Sequence, residues 1–252
     1  MKGSGSKLKR SDKISRALYF ITLFSFITAL IYVPLRAWLD VDYRENTELH
    51  LIIFQTTFGL LVINLPTFLR QRFKWQIPGV FSAAYIIFLY ASIFLGEVLV
   101  FYYRVPFWDD LLHLSSSMML GVFGFSVVEM LGGKGNASSS CLTPFLTALF
   151  AAAFAVTVGV LWEIYEFSFD GILGLNMQKF AKECADEGEL LVDLVGREAL
   201  MDTMRDLIID TVGAAVISAI GYISLKRKQR FINAFKVTLS KKEAKTDPDQ
   251  KG

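Results

Sequence analysis

An all-α, polytopic transmembrane bundle of about six helices is the fold class this sequence predicts, and three observations predict it. Hydrophobic residues make up 53% of 252 positions, mean hydropathy is +0.44, and Phe alone occurs 22 times. The charged residues, 20% of the chain, are clustered between apolar runs, which a soluble core does not require. One run, Thr143 to Leu161, carries no charge and is long enough to cross a bilayer.

Residues 1–16 are polar and basic, with Lys2, Lys7, Lys9, Arg10, Lys13 and Arg16, and Gly3-Ser4-Gly5-Ser6 reads as flexible. The first span, Ala17 to Val33, has the charged flank of a signal peptide but no small-residue cleavage site. Pro34-Leu35-Arg36-Ala37-Trp38 reads as an interfacial anchor, so the span is retained. The second span runs from about Leu49 to Leu65 and stops at Pro66, before a basic loop with Arg70, Arg72, Lys74 and Trp75. The third covers about Val80 to Tyr103, with Glu97 near its far end. The fourth begins at Asp109-Asp110-Leu111-Leu112-His113 and reaches Leu131.

A Gly/Ser-rich loop, 132–140, leads to the fifth span, Pro144 to the region of Asp170. An acid-rich connection, 171–200, precedes the sixth span, about Asp202 to Leu225. The chain thus divides into a basic segment 1–16, a six-span membrane domain 17–225 and a basic tail 226–252. The tail reads as a cytoplasmic anchor to anionic lipid rather than a nucleic-acid surface. Cys141 and Cys184 fall in loops on opposite sides of the membrane, which argues against a disulfide.

With six spans, the two ends and the loops after spans two and four share one side. They hold 19 of the 26 Lys and Arg, which places both termini in the cytoplasm of a multi-pass bacterial inner-membrane protein. That orientation puts Asp109 and His113 in the outer turns of the fourth helix. Glu163, Glu166 and Asp170, spaced i, i+3, i+7, lie at the outer end of the fifth, and on a helix they share a face. Asp202, Asp206 and Asp210, spaced i, i+4, i+8, descend the sixth, Asp210 roughly 12 Å deeper than Asp202. Glu97 and His50 lie at similar depth on helices three and two.

Each polar row continues into small residues at four-residue steps: Ser117 and Gly121 below His113; Ala151, Ala155 and Gly159 before Glu163; Ala214 and Ser218 after Asp210. Such rows let membrane helices approach closely, so they turn the acids toward neighbouring helices. The bland alternative is a set of acids each satisfied by water at the end of its own helix. Stacked carboxylates repel, and at the edge of an apolar span they are costly unless paired or ligated. The expectation is therefore one polar pocket of Glu163, Glu166, His113, Asp206 and Asp210, with Asp109, Asp170 and Asp202 at its mouth. Oxygens of Glu163 and Asp206 should lie within about 8 Å of each other, near enough for one ion and its bridging water.

Asp109-x3-His113, Trp162-Glu163-Ile164-x-Glu166-Phe167-x2-Asp170, Met177-Gln178 and Asp202-Thr203-Met204-x-Asp206-Leu207-x2-Asp210-x2-Gly213-Ala214 resemble the YjdF-like family of bacterial inner-membrane proteins. The resemblance covers the second to the sixth span. It implies about six spans and supplies no reaction, since the family is a domain of unknown function. Leu114 departs from the Phe that the family often carries there, and the charged tail after Lys226 is individual to this chain.

Carboxylates with one histidine suit Mg²⁺, Mn²⁺, Zn²⁺ or Fe²⁺. A Glu-x-x-Glu pair facing an Asp-x-x-x-His pair follows the ligand logic of carboxylate-bridged centres in helical bundles. The candidate ligands are Asp109, His113, Glu163, Glu166, Asp170, Asp202, Asp206 and Asp210; Glu163, Glu166, His113 and Asp206 are the candidate catalytic groups. The first reading is a metal-dependent membrane-embedded hydrolase acting on a lipid or envelope metabolite at the outer leaflet. The alternatives are a cation- or proton-coupled transporter, against which the apolar inner halves of helices four to six count, and a non-catalytic scaffold. Ser115-Ser116-Ser117 lacks a nucleophile elbow and reads as helix packing. Arg205 suits either a bound anion or an internal ion pair. Trp108 and Trp162 read as members of the interfacial aromatic belt.

Overall fold

The computed structural model describes residues 3–41, 49–131, 142–182, 192–227 and 237–239. Among them, six helices are long and apolar enough to cross a bilayer: Arg10–Leu39, Leu49–Phe73, Gly79–Val98, Trp108–Leu131, Pro144–Leu173 and Met201–Lys226. Large side chains such as Phe24, Phe145, Phe167, Leu61 and Ile172 remain exposed around the bundle, which suits a lipid solvent. The chain is thus an all-α membrane protein. Among the described residues the strands are four two-residue pieces, β1 (Trp75–Gln76), β2 (Ala181–Lys182), β3 (Val192–Asp193) and β4 (Thr238–Leu239).

Several helices depart from the boundaries that the sequence suggests. The first runs unbroken from Gly3 to Leu39, through the Gly/Ser stretch and past Pro34. Nothing between Lys7 and Arg16 breaks a helix, and a proline in a membrane helix is tolerated where neighbours satisfy the freed carbonyl. The second span does not end at Pro66. It breaks at Ile63-Asn64 and restarts as Leu65–Phe73, because proline in the first turn costs no helical hydrogen bond. Tyr19 donates to Asn64 (2.9 Å) and Asn64 donates to Leu60 O (3.0 Å), so the break is hydrogen-bonded. Lys74 then closes the helix in a left-handed conformation.

The third span turns into a π-helix over Tyr90–Val98. Val100, at φ 60°, ends it and starts a single turn, Phe101–Arg104, rather than a straight run to Tyr103. The Trp108 indole donates to Ala91 O (3.2 Å), within that π-helix, so Trp108 clamps spans three and four together. Trp162 is exposed and stacks on Tyr165.

Spans four, five and six pack on one another more extensively than any other elements, and spans one, two and three form the second group. Aromatic contacts join the groups at both ends: Phe54 on Tyr165 and Phe169 near one, Trp75 and Phe81 on Phe123 near the other. The tail is partly docked. Val237 is buried and donates to Ser126 Oγ (3.0 Å), and β4 pairs antiparallel with β1. Cys141, Cys184, the 132–140 loop and the remainder of the tail lie outside the described residues.

Candidate functional site

The three small-residue rows face each other in the second helix group. Ala151, Ala155, Gly159 and Glu163 of span five are all buried, as are Asp206, Asp210, Ala214 and Ser218 of span six and His113, Ser117 and Gly121 of span four. The approach is close enough to exclude a methyl group: a Cβ on Gly124 would lie 2.8 Å from Ala151 Cα, and one on Gly159 would lie 2.4 Å from Asp210 Oδ2. Glycine at 159 therefore makes the space that the Asp210 carboxylate fills.

At the end of the bundle away from both termini, these rows bring charge together. One ligand atom from each of His113, Glu163 and Asp206 lies within 4.8 Å of the others. Glu163 and Asp206 retain only 5% and 2% of their surface. Among the described residues, neither Glu163 oxygen has a partner in good hydrogen-bond geometry, the Thr203 side chain being the donor near it. His113 is held between three aspartates: Nε2 lies 3.8 Å from Asp109 and 3.7 Å from Asp206, and Nδ1 lies 3.4 Å from Asp210 Oδ2, within ion-pair reach but outside hydrogen-bond geometry. Both imidazole nitrogens thus face carboxylates, Nδ1 toward Asp210 and Nε2 toward Asp109 and Asp206. A second group, Asp109, Asp202 and Asp206, also offers oxygens within 4.8 Å and is less buried. Asp206 belongs to both. Glu166 is buried, and its charge acts on Glu163, Asp109, Lys179 and Asp206.

Asp170 sits differently from its expected place at the mouth. It is buried, and its two oxygens accept the backbone N–H groups of Met177 (2.8 Å) and Gln178 (3.0 Å), folding the connection back over the helix end. Its oxygens are committed to the loop, which gives it a structural part. The turn is reinforced by Asn176, which donates to Ala181 O and accepts from Ala181 N, and by Gln178, which donates to Thr203 Oγ1 (2.8 Å).

That folded loop delivers the residue that spacing alone does not reveal. Lys179, at φ 48°, bonds Asp109, lies 3.6 Å from Asp202 and stands 5.1 Å above the Tyr102 ring. Burial alone would lower its pKa, but Asp109 and Asp202 outweigh burial and hold it above the usual lysine range. The stabilisation from this pairing is complete below the ordinary lysine pKa and is lost only as pH rises through the higher folded value. Tyr102 rests against Gly96, where a Cβ would lie 2.4 Å from its ring. Burial, and then Glu97 and Asp109, raise the Tyr102 hydroxyl well above its ordinary range.

The remaining candidates lie apart. Glu97 accepts from Gln55 (3.0 Å) on span two, and His50 is exposed at the start of that span. Arg205 is exposed and pairs with Asp110. The hydroxyls of Ser115, Ser116 and Ser117 each donate to the carbonyl three residues earlier, as packing residues do.

Fold and site together define a six-helix membrane protein with a buried carboxylate–histidine cluster at one end. The chain belongs to the family of predicted membrane proteins designated DUF2238, whose model matches residues 18–227; the YjdF-like resemblance is to this same family. It is also 31% identical over 140 residues to an uncharacterized protein of Thermotoga maritima. That match covers 53% of this chain and 59% of the relative, so the chain spans about three-fifths of the relative's length. No solved structure matches it.

Proposed function

We propose that this protein is a membrane-embedded, metal-dependent hydrolase acting on a lipid or an envelope metabolite. The observation that carries the reading is the His113–Glu163–Asp206 set, in which Glu163 is 5% exposed, with neither oxygen in good hydrogen-bond geometry and only the Thr203 side chain near it as a donor. A buried carboxylate without a partner costs several kcal/mol, and a cation removes that cost. Mg²⁺, Mn²⁺, Zn²⁺ or Fe²⁺ matches the donor types.

When bound, such an ion lowers the pKa of a coordinated water and polarises an ester or anhydride oxygen. The chain's own groups do the rest. Asp210 steadies the His113 ring from Nδ1. Glu166, buried one helical turn from Glu163, would take and return a proton in this reading. Asp170 holds the backbone of Met177 and Gln178 at the end of span five, beside the cluster's elements. The basic-residue distribution supports a bacterial inner-membrane location with both termini cytoplasmic. The cluster then faces the outer leaflet, where a lipid headgroup or envelope metabolite can reach it.

The test uses full-length protein in nanodiscs of bacterial lipid, loaded with Mn²⁺ or Zn²⁺, with bound metal and released products followed by mass spectrometry. The expected result is one retained divalent ion and a metal-dependent product, both lost in Glu163→Gln. A wild-type protein that retains no metal, or a Glu163→Gln protein indistinguishable from it, overturns the reading. Cation uptake by proteoliposomes that vanishes in Asp210→Asn, without product release, selects the transporter instead.

A further inference from the structure

The geometry points to a second cation subsite at the mouth of the cluster, formed by Asp109, Asp202 and Asp206, which Lys179 occupies with its ammonium until a divalent ion displaces it. The inference rests on the inner ligand set proposed above and extends it from one ion to two. Three features converge on it. Oxygens of Asp109, Asp202 and Asp206 lie within 4.8 Å of one another, and Asp206 is shared with the His113–Glu163–Asp206 set. The space already holds a positive charge, since Lys179 Nζ bonds Asp109 and lies 3.6 Å from Asp202. Glu163, which shares Asp206 with this subsite through the inner set, is 5% exposed and has only the Thr203 side chain as a nearby donor, so the adjoining space is rich in acids and short of donors.

Lys179 is suited to leave. It reaches the acids from a loop, its side chain is 28% exposed, and the Tyr102 ring beneath it gives the ammonium a second resting contact. The two subsites differ in chemistry. The inner offers an imidazole and suits Zn²⁺, Fe²⁺ or Mn²⁺; the outer offers carboxylates alone and suits harder ions such as Mn²⁺ or Mg²⁺. Two ions sharing a carboxylate can activate the attacking water and the leaving oxygen together, which one ion does less well. Lys179 thereby sets the ion count: one while it is seated, two once it is displaced.

Full-length protein in nanodiscs, titrated with Mn²⁺, separates the possibilities. Retained metal is counted by elemental analysis, and spin-coupled pairs are read by electron paramagnetic resonance. Lys179→Met should retain two equivalents with a coupled signal, the second bound about tenfold more tightly than in wild type. Lys179→Arg and the double variant Lys179→Met/Asp202→Asn should retain one. In wild type, which needs no substitution to fold, acetylation of Lys179 measured by mass spectrometry should rise as Mn²⁺ is raised. A Lys179→Met protein with wild-type stoichiometry and affinity overturns the inference. So does a second equivalent that survives Asp202→Asn, or Lys179 acetylation indifferent to Mn²⁺. Glu163→Gln reports separately: if it keeps the first equivalent, the inner site falls, whatever Lys179→Met does.

Discussion

In spans one to three the helices meet through bulk: Phe26, Ile63, Leu89 and Ile93 form the buried cluster, with Tyr19, Tyr85 and Phe94 against it. In spans four to six they meet largely through Ala148, Ala151, Ala155, Gly159 and Ala214, with Phe125, Leu112, Val128 and Ile217 as the larger buried side chains. The polar groups differ in the same way. In the first half most are matched pairs, Gln55 on Glu97, Tyr85 on Val62 O, Arg70 on Ile77 O and Ser82, with Thr56 Oγ1 the exception. In the second half, among the described residues, Glu163 Oε1 and Oε2, Asp210 Oδ1, Ser218 Oγ and His113 Nδ1 are buried outside good hydrogen-bond geometry. Bulky side chains hold helices apart and tolerate adjustment; small ones fix backbone against backbone and hold charged groups where they do not relax away from one another. The second half is thus the rigid frame that a ligand-binding cluster needs, and the first half is its packing partner.

A methyl group added at the glycine contacts should break this comparison if it is wrong. In Gly124→Ala the new Cβ meets backbone, Ala151 Cα at 2.8 Å, so spans four and five must move apart. A loss of about 2–3 kcal/mol in a detergent unfolding titration is expected, at the upper end for overpacking. In Gly59→Ala the new Cβ meets side chains, Ile93 Cδ1 at 2.6 Å and Phe26 Cε2 at 2.7 Å. These can rotate, so the loss should stay at about 1 kcal/mol, partly offset by the better helix propensity of alanine. Equal losses would mean that the halves do not differ in rigidity.

Gly159→Ala sharpens the link between frame and chemistry. Its methyl would fall 2.4 Å from Asp210 Oδ2 and push that carboxylate off His113 Nδ1. Metal affinity measured by competition with a chelator should fall about 10- to 100-fold, as for loss of an orienting partner. Stability should change by no more than in Gly59→Ala. A fall in stability with intact affinity would assign Asp210 to packing alone.

Much of this contrast was legible in the sequence. The i, i+4 rows through His113, Glu163 and Asp206 continue into small residues, and that pattern marks both the close packing and the convergence. What spacing could not reveal depends on loops. Lys179 is one of several basic residues in an acid-rich connection, and its place follows from Asp170 and Asn176 bending that loop back. By spacing Asp170 reads as a third stacked ligand after Glu163 and Glu166, because helical spacing says nothing about backbone N–H groups arriving from outside the helix. The π-helix at Tyr90–Val98 carries no residue that announces it, and Val237–Leu239 docks from a tail whose lysines suggest only a charged anchor.

The smallest effect belongs to the rim. Arg205 and Asp110 form an ion pair one helix face away from Lys179, but the Arg205 side chain is 55% exposed, against 28% for Lys179. In high dielectric such a pair contributes less than about 1 kcal/mol, because water and salt screen it and two long side chains lose freedom to hold it. Arg205→Gln should therefore leave unfolding within that range, and the residual difference should vanish as ionic strength is raised. It should also leave Mn²⁺ stoichiometry at the wild-type value, because Asp110 contributes no oxygen to either ligand group. If Arg205→Gln instead raised the metal count as Lys179→Met is expected to, charge removed anywhere near the mouth would suffice. The tethered contact of Lys179 with Asp109 and Asp202 would then lose its special place.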